Sequence, residues 1–453
     1  MMQAGRRAVA LAVLGGILVA LVGLGIFVLR NNDLPLDHDS RVRLYVASAC
    51  LSGLLWLLAV VLVRRGGLPR YCFWLVLAFA VAMRAITFLS PPLLSSDVYR
   101  YVWDGRVQLA GINPYRYLPA APELAFLRDE AVYPNINRAD YAPTIYPPAA
   151  QVIFLLAAVV TPGVVGMKAV MTGFDVTAII ILAYLLRLIG RDRAEVLIYA
   201  WLPLPIWEFV GNGHIDAAAA GLLAVALLFA ARNAAARSGV ALAAAALTKI
   251  LPMAVLPAFW RFGRWRLLSA FLLTSVLLYL PYVTVGKQAL GFLGGYLQEE
   301  HISRGGGPFL FEALHHVVPL PSWSLTVYFS VAVAILFALA VRFAFGGRLS
   351  LAPAERVTTI ARQSAILGAV LLVAISPHYQ WYFGWLAPLA CLTPLASVLW
   401  LLAAAPLLAL GPIEHLMIPT TVYLPAAALA VLDFHRSRTT AAPIPTYAAG
   451  SAR

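Results

Sequence analysis

The sequence has few charged residues, and this shortage excludes an ordinary soluble protein. Only 12% of its 453 residues are Asp, Glu, Lys or Arg and 62% are hydrophobic, whereas soluble domains carry about 25% charged residues. Lysine is nearly absent: of 33 basic residues only Lys168, Lys249 and Lys287 are lysines. The basic residues fall in short groups between long apolar runs. This pattern indicates a membrane protein, and no nucleic-acid partner is expected.

Cysteines and phosphate-binding glycine motifs are also scarce. Cys50, Cys72 and Cys391 all lie in apolar stretches, where a thiol behaves as a small hydrophobic group, so neither a disulfide nor a zinc framework is expected. The chain has no Walker motif and no dinucleotide-binding glycine fingerprint. These absences argue against a soluble nucleotide-binding domain. No cofactor is assigned, and a divalent metal ion is left open.

Apolar runs long enough to cross a bilayer occur along most of the chain, which predicts an all-α, polytopic bundle of transmembrane helices. We expect about 14 spans, with roughly 11 to 13 as the alternative because two runs are short and contain prolines. The runs lie near residues 8–29, 44–63, 71–89, 149–165, 168–187, 194–210, 215–231, 238–260, 266–286, 323–341, 357–375, 380–395, 397–413 and 418–433. The first run is interpreted as a retained helix and not as a signal peptide.

Arginine placement predicts the orientation, because cytoplasmic loops carry the excess of basic residues. Arg6 and Arg7 put the N-terminus inside, and two large loops, residues 90–148 and 287–322, then lie outside. The arginines near Arg187 and Arg232 are exceptions to this assignment. The chain is divided into two leading helices (1–70), a module (71–322) whose two outer loops are the places to look for catalytic residues, C-terminal transmembrane helices (323–435) and a cytoplasmic tail (436–453).

The first outer loop contains a predicted helix that carries two carboxylates. Start and stop signals bound Ser95 to Gly111, and Asp97 and Asp104 lie on one face of that helix, which is expected to lie along the membrane surface. An Asp at the bilayer surface can act as a general base toward a hydroxyl group or as an oxygen ligand of a metal ion. The alternative is a solvated helix on which acids pair with arginines, for example Asp97 with Arg100.

Ionisable residues inside the apolar runs form a second group of candidates, because a charge in a bilayer costs at least about 2.5 kcal/mol. The group comprises Arg84, Asp175, Glu208, Asp216 and Lys249. Lys168 and Asp175 lie on one helix face, where a structural ion pair is an equal alternative. The motif GNGHID, with His214 and Asp216, falls on the cytoplasmic side by span count unless the segment before it is re-entrant.

Two further polar segments follow. The second outer loop carries Glu299, Glu300, His301 and Arg304 before three glycines, a composition typical of a mobile lid. His315 and His316 are adjacent in sequence and therefore cannot form an i, i+4 metal pair, so no metal ligand is assigned. The segment SPHYQWYF, residues 376–383, is an aromatic belt at the membrane interface, and anchoring does not explain its His378.

These motifs together resemble the GT-C superfamily of integral-membrane glycosyltransferases. They are most similar to bacterial polyprenyl-phosphate-mannose-dependent mannosyltransferases of the glycosyltransferase 87 type. The resemblance runs in order over residues 70–390 and comprises DVYRYVWDGR from Asp97, GINPYRY from Gly111, YPP from Tyr146, NGHID, Thr248-Lys249 and SPHYQWYF. It implies inverting transfer of a sugar, here mannose, from a polyprenyl-phosphate donor to a hydroxyl of a glycan or glycolipid acceptor. The site would lie on the outer face of a bacterial inner membrane.

The resemblance also implies roles for individual residues. Asp97 matches the catalytic base and Asp104 is the second candidate, while Arg100, Arg106, Arg304 or His378 would bind the donor phosphate. A metal-binding Asp-x-Asp motif is absent from the first loop. The other polar candidates are Tyr101, Tyr146, His214, Asp216, Lys249, His301 and Tyr379.

A lipid-linked-sugar flippase or a secondary transporter is the alternative function, because such proteins also place ionisable groups within the helix bundle. Transporters commonly contain two similar halves with correspondingly broken helices. The chain has no second copy of the loop at residues 90–148. This asymmetry favours the enzyme.

Overall fold

The computed structural model describes residues 2–291, 308–321, 323–346, 352–410 and 417–439, and within these ranges the chain is all helix and turn, with no strand. The first ten α-helices are α1 (Met2–Arg30), α2 (His38–Arg64), α3 (Cys72–Phe88), α4 (Asp97–Leu109), α5 (Pro148–Val160), α6 (Val164–Leu188), α7 (Leu197–Ala200), α8 (Asp216–Ala231), α9 (Ala235–Lys249) and α10 (Leu256–Tyr279). The later α-helices span Phe309–Val317, Ser324–Phe345, Pro353–Ile375, Ala387–Leu392, Ala396–Ala404 and Met417–Thr439.

Short 3₁₀ segments and one π-helix connect the longer elements. The 3₁₀ segments are Pro122–Leu127, Tyr133–Asn135, Arg193–Val196, Leu251–Val255, Leu280–Leu290, Gln380–Leu386 and Ala405–Leu410. The π-helix is Pro205–Gly211.

Six helices in the described part of the chain are long and apolar enough to cross a membrane, so the protein is an integral, multi-pass membrane protein. They are Ala4–Arg30, His38–Arg64, Val164–Leu188, Leu251–Leu290, Ser324–Phe345 and Pro353–Ile375, and a bent pair, Pro205–Gly211 with Asp216–Ala231, makes up to seven. The count of about 14 spans stays a prediction. Several predicted runs form short or broken helices, as at 194–210, where proline interrupts the hydrogen-bond ladder.

The two leading helices pack on each other and on the segment 193–211. The indole Nε1 of Trp56 in α2 donates a hydrogen bond to the Ile198 carbonyl at 3.2 Å. The ring of Tyr45, also in α2, lies edge-on against Trp207 at 5.0 Å between centroids. The helices that precede the predicted catalytic module therefore support the segment that carries Glu208.

The predicted loop helix is confirmed as α4. It begins after Ser96, with the Asp97 N–H donating to the Ser95 hydroxyl at 3.3 Å, and the chain turns away at Gly111, where φ is +78°. A Cβ atom at Gly105 would lie 2.4 Å from the Phe154 carbonyl oxygen, so glycine lets α4 approach α5 closely. Both faces of α4 are enclosed, because Val98, Tyr101, Val102 and Asp104 are all 1% exposed. The alternative, a solvated helix, is therefore wrong.

An ion pair inside the bundle joins α3 to α6. Arg84 Nε and Nη2 donate to the two oxygens of Asp175 at 2.6 and 3.2 Å, and the Tyr199 hydroxyl donates to Asp175 at 2.9 Å. The expected pairing of Lys168 with Asp175 is wrong. Lys168 instead donates to the carbonyls of Thr87, Phe88 and Ser90, because the C-terminal end of α3 presents carbonyl groups without helical partners.

The chain reverses direction at GNGHID. The π-helix and α8 meet at 110°, and Gly213 between them has φ of +69°. A Cβ atom at Gly213 would lie 3.1 Å from the Val98 side chain and 3.2 Å from that of Lys168. The motif therefore lies against the start of α4. This contact agrees with the alternative in which the segment before GNGHID is re-entrant, and it does not agree with a straight span that would carry the motif to the side opposite the first outer loop.

Candidate functional site

A cavity of about 210 Å³ opens at the N-terminal end of α4. Five of the residues predicted from the sequence line it, namely Asp97, Tyr101, Tyr146, Lys249 and Tyr379. The structure thus brings together the first outer loop, the end of α9 and the segment 376–383, which are far apart in the sequence.

Asp97 presents the carboxylate of this cavity. Its Oδ1 accepts a hydrogen bond from Asn137 Nδ2 at 2.8 Å, and its side chain is 18% exposed. The carboxylate lies at the first turn of α4, where free backbone N–H groups favour a negative charge. The side chain is therefore held in place on one oxygen while it remains accessible from the cavity.

The expected ion pair between Asp97 and Arg100 does not form. Arg100 Nε donates to Asp104 Oδ1 at 2.9 Å and its Nη1 donates to the Ala142 carbonyl at 3.2 Å. Gln151 Nε2 donates to the other oxygen of Asp104 at 3.0 Å. Asp104 is buried in this network and is not among the residues that line the cavity. The two acids of the loop helix therefore have different surroundings.

Lys249 supplies a positive charge to the cavity. Its Nζ lies 2.8 Å from both carboxylate oxygens of Asp216 and 4.0 Å from the centre of the Tyr382 ring. The next residue, Ile250, has φ of +60° and ψ of −46°. Such a backbone is strained for a β-branched side chain, and strain of this kind persists where the surroundings enforce it, often at functional sites.

His214 lies directly behind Asp97. Its Nδ1 is 3.9 Å from Asp97 Oδ2 and its Nε2 is 3.4 Å from Glu208 Oε2. The ring is fully buried and stacks on Trp381 at 4.3 Å between centroids. Neither ring nitrogen has a hydrogen-bond partner within the described ranges. The sequence singled out His214 and Glu208 separately, and the structure places them side by side.

The residues predicted to bind the donor phosphate are dispersed. Arg100 is committed to Asp104, and Arg106 lies toward the other end of α4, where it donates to the Pro162 carbonyl and, at 2.6 Å, to Asp129. His378 Nε2 lies 3.9 Å from a carboxylate oxygen of Glu312. Arg304, with His301, Glu299, Glu300 and the three glycines, lies outside the described residues.

The pairing of Arg106 with Asp129 changes the acidity of Asp129. Partial burial raises the pKa of that carboxyl, but hydrogen bonds from Arg106 and from the Val132 N–H outweigh it, and the pKa is lowered overall. This ion pair ties the end of α4 to the middle of the first outer loop.

The cavity residues that sequence reasoning did not select as site residues include Asn137, Arg138, Trp381 and Tyr382. Asn137 and Arg138 belong to a polar stretch, NINRAD, shortly before the YPP motif, which was the available signal. Arg138 has φ of +58°, a left-handed conformation that places its side chain at the cavity wall. Hydrophobic periodicity does not predict a left-handed residue such as Arg138.

A metal site does not follow from these positions. In the described ranges no group of three or more His, Cys, Asp or Glu side chains could hold a metal ion. Asp97 and Asp104 belong to separate hydrogen-bond networks, so they do not act as a pair of ligands.

Comparison with known proteins agrees with the sequence resemblance. The model of the MptA/B family, described as alpha-(1->6)-mannopyranosyltransferase, N-terminal domain, matches residues 2–262. This range holds α1 to α9 and the Asp97, Arg138 and Lys249 side of the cavity. No curated protein and no solved structure matches the chain.

Proposed function

The chain belongs to the MptA/B family of alpha-(1->6)-mannopyranosyltransferases, and we propose that it transfers mannose from a polyprenyl-phosphate donor to a hydroxyl of a glycan or glycolipid acceptor. The family and the apolar helices make it a membrane-embedded mannosyltransferase. The position of Asp97 supports transfer from a phosphate-linked donor to a hydroxyl, because Asp97 is an accessible carboxylate in a cavity that two cationic side chains also line.

Asp97 is the proposed general base. The acceptor hydroxyl gives its proton to Asp97 as its oxygen forms a bond to the anomeric carbon of mannose. The bond from that carbon to the phosphate oxygen breaks, the electron pair leaves with the phosphate, and the configuration inverts. Asn137 fixes Oδ1 of the carboxylate, and the side chain remains 18% exposed at the cavity, so a hydroxyl can approach it.

Arg138 and Lys249 are the proposed partners of the donor phosphate. Both line the same cavity as Asp97, and hydrogen bonds from cations stabilise the negative charge that the departing phosphate gains. The ion pair with Asp216 fixes the Lys249 ammonium group next to this space. Arg304 and His378 remain candidates for the same lipid phosphate.

The sugar is proposed to lie against the aromatic wall of the cavity. Tyr379 stacks on Trp381 at 4.7 Å between centroids, and Tyr379 is 40% exposed. Exposed aromatic faces offer a rigid apolar surface, with a polar hydroxyl at the edge, to the C–H face of a pyranose. This wall lies outside residues 2–262, so the family match does not cover it.

The outer face of the membrane is the proposed side of the reaction. The Asp97 side of the cavity comes from the loop that arginine placement puts outside. This loop contacts the segment that leads into the second predicted outer loop: Tyr115 packs on Tyr282 at 5.3 Å, and Asn113 Nδ2 donates to Thr284 Oγ1 at 3.3 Å. Contact between the two supports a common side.

An enzyme is favoured over a flippase or transporter because the charged side chains inside the bundle are paired with each other. Arg84 and Asp175 are held by each other and by Tyr199. Such a saturated network is typical of a structural ion pair, whereas a transport pathway needs charges that exchange partners.

The test is transfer by the purified protein in nanodiscs, with labelled polyprenyl-phosphate mannose and a panel of glycan and glycolipid acceptors. We expect labelled product from the wild type and a large loss in Asp97→Asn. Asp129→Asn is the matched control, because Asp129 lies in the same loop but pairs with Arg106 outside the cavity. Movement of the labelled lipid across the bilayer without any transfer would contradict the proposal and support the flippase.

A further inference from the structure

Asp97, His214 and Glu208 form a row that runs from the cavity into the protein. The imidazole of His214 lies between the two carboxylates, with Nδ1 3.9 Å from Asp97 Oδ2 and Nε2 3.4 Å from Glu208 Oε2. His214 and Glu208 are both 0% exposed. Since the ring nitrogens have no hydrogen-bond partner among the described residues, each faces a carboxylate that lies just beyond hydrogen-bond geometry.

Glu208 is held as a proton acceptor. Asn212 Nδ2 donates to its Oε2 at 2.8 Å and Gln380 Nε2 donates to its Oε1. An amide N–H can only donate, so both contacts suit an ionised carboxylate. The Leu93 N–H in turn donates to Asn212 Oδ1 at 2.7 Å, which ties this network to the start of the first outer loop.

The backbone around Glu208 also departs from regular structure. Glu208 lies within the π-helix Pro205–Gly211, and π-helical segments inside helical proteins frequently occur at functional sites. The His214 N–H donates to the Glu208 carbonyl at 2.9 Å, so the turn at Gly213 fixes the distance between the two side chains. The backbone of the π-helix and of the turn at Gly213 therefore places His214 and Glu208 side by side.

We propose that His214 relays the proton that Asp97 takes from the acceptor hydroxyl to Glu208. This deepens the proposed function and rests on it. After transfer of mannose, the Asp97 carboxylic acid gives its proton to His214 Nδ1 while His214 Nε2–H gives its proton to the Glu208 carboxylate. Asp97 is ionised again, His214 remains neutral with the other nitrogen protonated, and Glu208 is neutral.

The relay resets after the products leave. Glu208 returns its proton to His214 Nε2 while His214 Nδ1–H gives its proton to Asp97, and Asp97 then gives that proton to a water molecule that enters the cavity, so no other reactant is needed. For the first step Asp97 Oδ2 has to move toward Nδ1 by about 1 Å to reach hydrogen-bond distance. Asp97 is the only one of the three side chains that lines the cavity, so substrate binding can supply that movement.

Complete burial of the ring favours a neutral imidazole, because a charge there would lose its water, while the carboxylates of Asp97 and Glu208 on either side act in the opposite direction. Lys249, which is paired with Asp216, and Arg138 both line the cavity, and their positive charges disfavour a protonated ring. On the far side the neighbours of Glu208 are the amides of Asn212 and Gln380. His214 is thus a positioning residue that acts through Asp97 and does not touch the sugar.

The simpler explanation is that His214 only fills space against Trp381. His214→Phe separates the two explanations, because a phenyl ring keeps the stacking but has no nitrogen. Packing alone predicts unchanged turnover. The relay predicts that kcat falls about 10²-fold, the lower end of what acid–base groups contribute, while KM for the donor stays unchanged.

Glu208→Gln provides the second arm, since it keeps the size of the side chain and removes the proton acceptor. It should lower kcat as much as His214→Phe does, and the double variant should lose no more than either single variant, because residues of one relay are not additive. Glu195→Gln is the matched control: Glu195 is also buried, but it pairs with Arg191 away from the cavity and should leave kcat unchanged.

The outcomes distinguish the relay from the base assignment. Inactive Asp97→Asn together with wild-type kcat in His214→Phe overturns the relay alone, and so do losses that multiply in the double variant. Active Asp97→Asn overturns the proposed base and the relay with it. If His214→Phe does not fold, as judged by monodispersity in detergent, Glu208→Gln against Glu195→Gln carries the same test.

Discussion

Arg100 and Asp104, one turn apart on α4, form a buried ion pair with 2.9 Å between Nε and Oδ1. This pair occupies the arginine that would otherwise neutralise Asp97. Of the two acids on the loop helix, only Asp97 therefore lines the cavity. The chemical difference between two identical side chains follows from which one the neighbouring arginine and glutamine contact.

Substitution of the two acids should give opposite phenotypes. Asp97→Asn should lower turnover by roughly 10²- to 10⁴-fold and leave thermal stability unchanged, because it removes a proton acceptor without removing a buried partner. Asp104→Asn should lower stability by about 3–5 kcal/mol, because Arg100 stays buried without its carboxylate. Turnover in nanodiscs and thermal unfolding in detergent measure the two effects. Normal turnover in Asp97→Asn would remove the base assignment.

Donor binding should depend on the cations that line the cavity. Arg138→Gln should raise the apparent Kd for polyprenyl-phosphate mannose by roughly tenfold, since charged hydrogen bonds contribute about 1.5–3 kcal/mol. Arg106→Gln is the control, because Arg106 donates to Pro162 and Asp129 instead of lining the cavity. Equal donor affinities in the wild type and Arg138→Gln would contradict the assignment of Arg138 to the phosphate. Weaker donor binding in Arg106→Gln would instead support the sequence-based assignment of Arg106 to the phosphate.

Local signals were sufficient to predict some of the site. The start of α4 at Asp97 and its end before Gly111 follow from capping and turn chemistry, which act within a few residues. The motifs around His214 and Tyr379 were also visible as polar and aromatic groups inside apolar surroundings. These features need no knowledge of tertiary contacts.

The arrangement of these groups was not predictable, because it depends on packing. Asp97 and Asp104 lie on one helical stripe, and they are distinguished by their contacts: Arg100 and Gln151 donate to Asp104, whereas Asn137 donates to Asp97. Hydropathy counts assume straight spans, so they did not predict the 110° bend at GNGHID that brings His214 next to Asp97. The left-handed backbone at Arg138 has no sequence signal.

The turn that brings His214 to Asp97 should require glycine at position 213. Gly213→Ala should lower stability by about 1 kcal/mol or more and reduce turnover, because φ is +69° and a Cβ atom would press on Val98 and Lys168. Gly173→Ala is the matched control: a Cβ atom there meets nothing within 4 Å, and alanine favours the helix. The melting temperature and the turnover should both fall in Gly213→Ala and should not fall in Gly173→Ala. Equal melting temperatures in Gly213→Ala and the wild type would show that the turn tolerates a side chain.

Acid should weaken the attachment of α4 to the first outer loop through Asp129. The pKa of this carboxyl is lowered in the folded protein from its ordinary value of 3.8. A lowered folded pKa means that the contribution to stability is fully present above the unfolded value and is lost as the pH falls through the folded value. Asp129→Asn removes this dependence, so the difference in melting temperature between the wild type and Asp129→Asn should be constant near neutral pH and shrink below about pH 4. The Asp129 side chain is 39% exposed, so salt should reduce the difference as well. A difference that stays constant down to pH 3 would show that the ion pair with Arg106 contributes nothing to holding the loop.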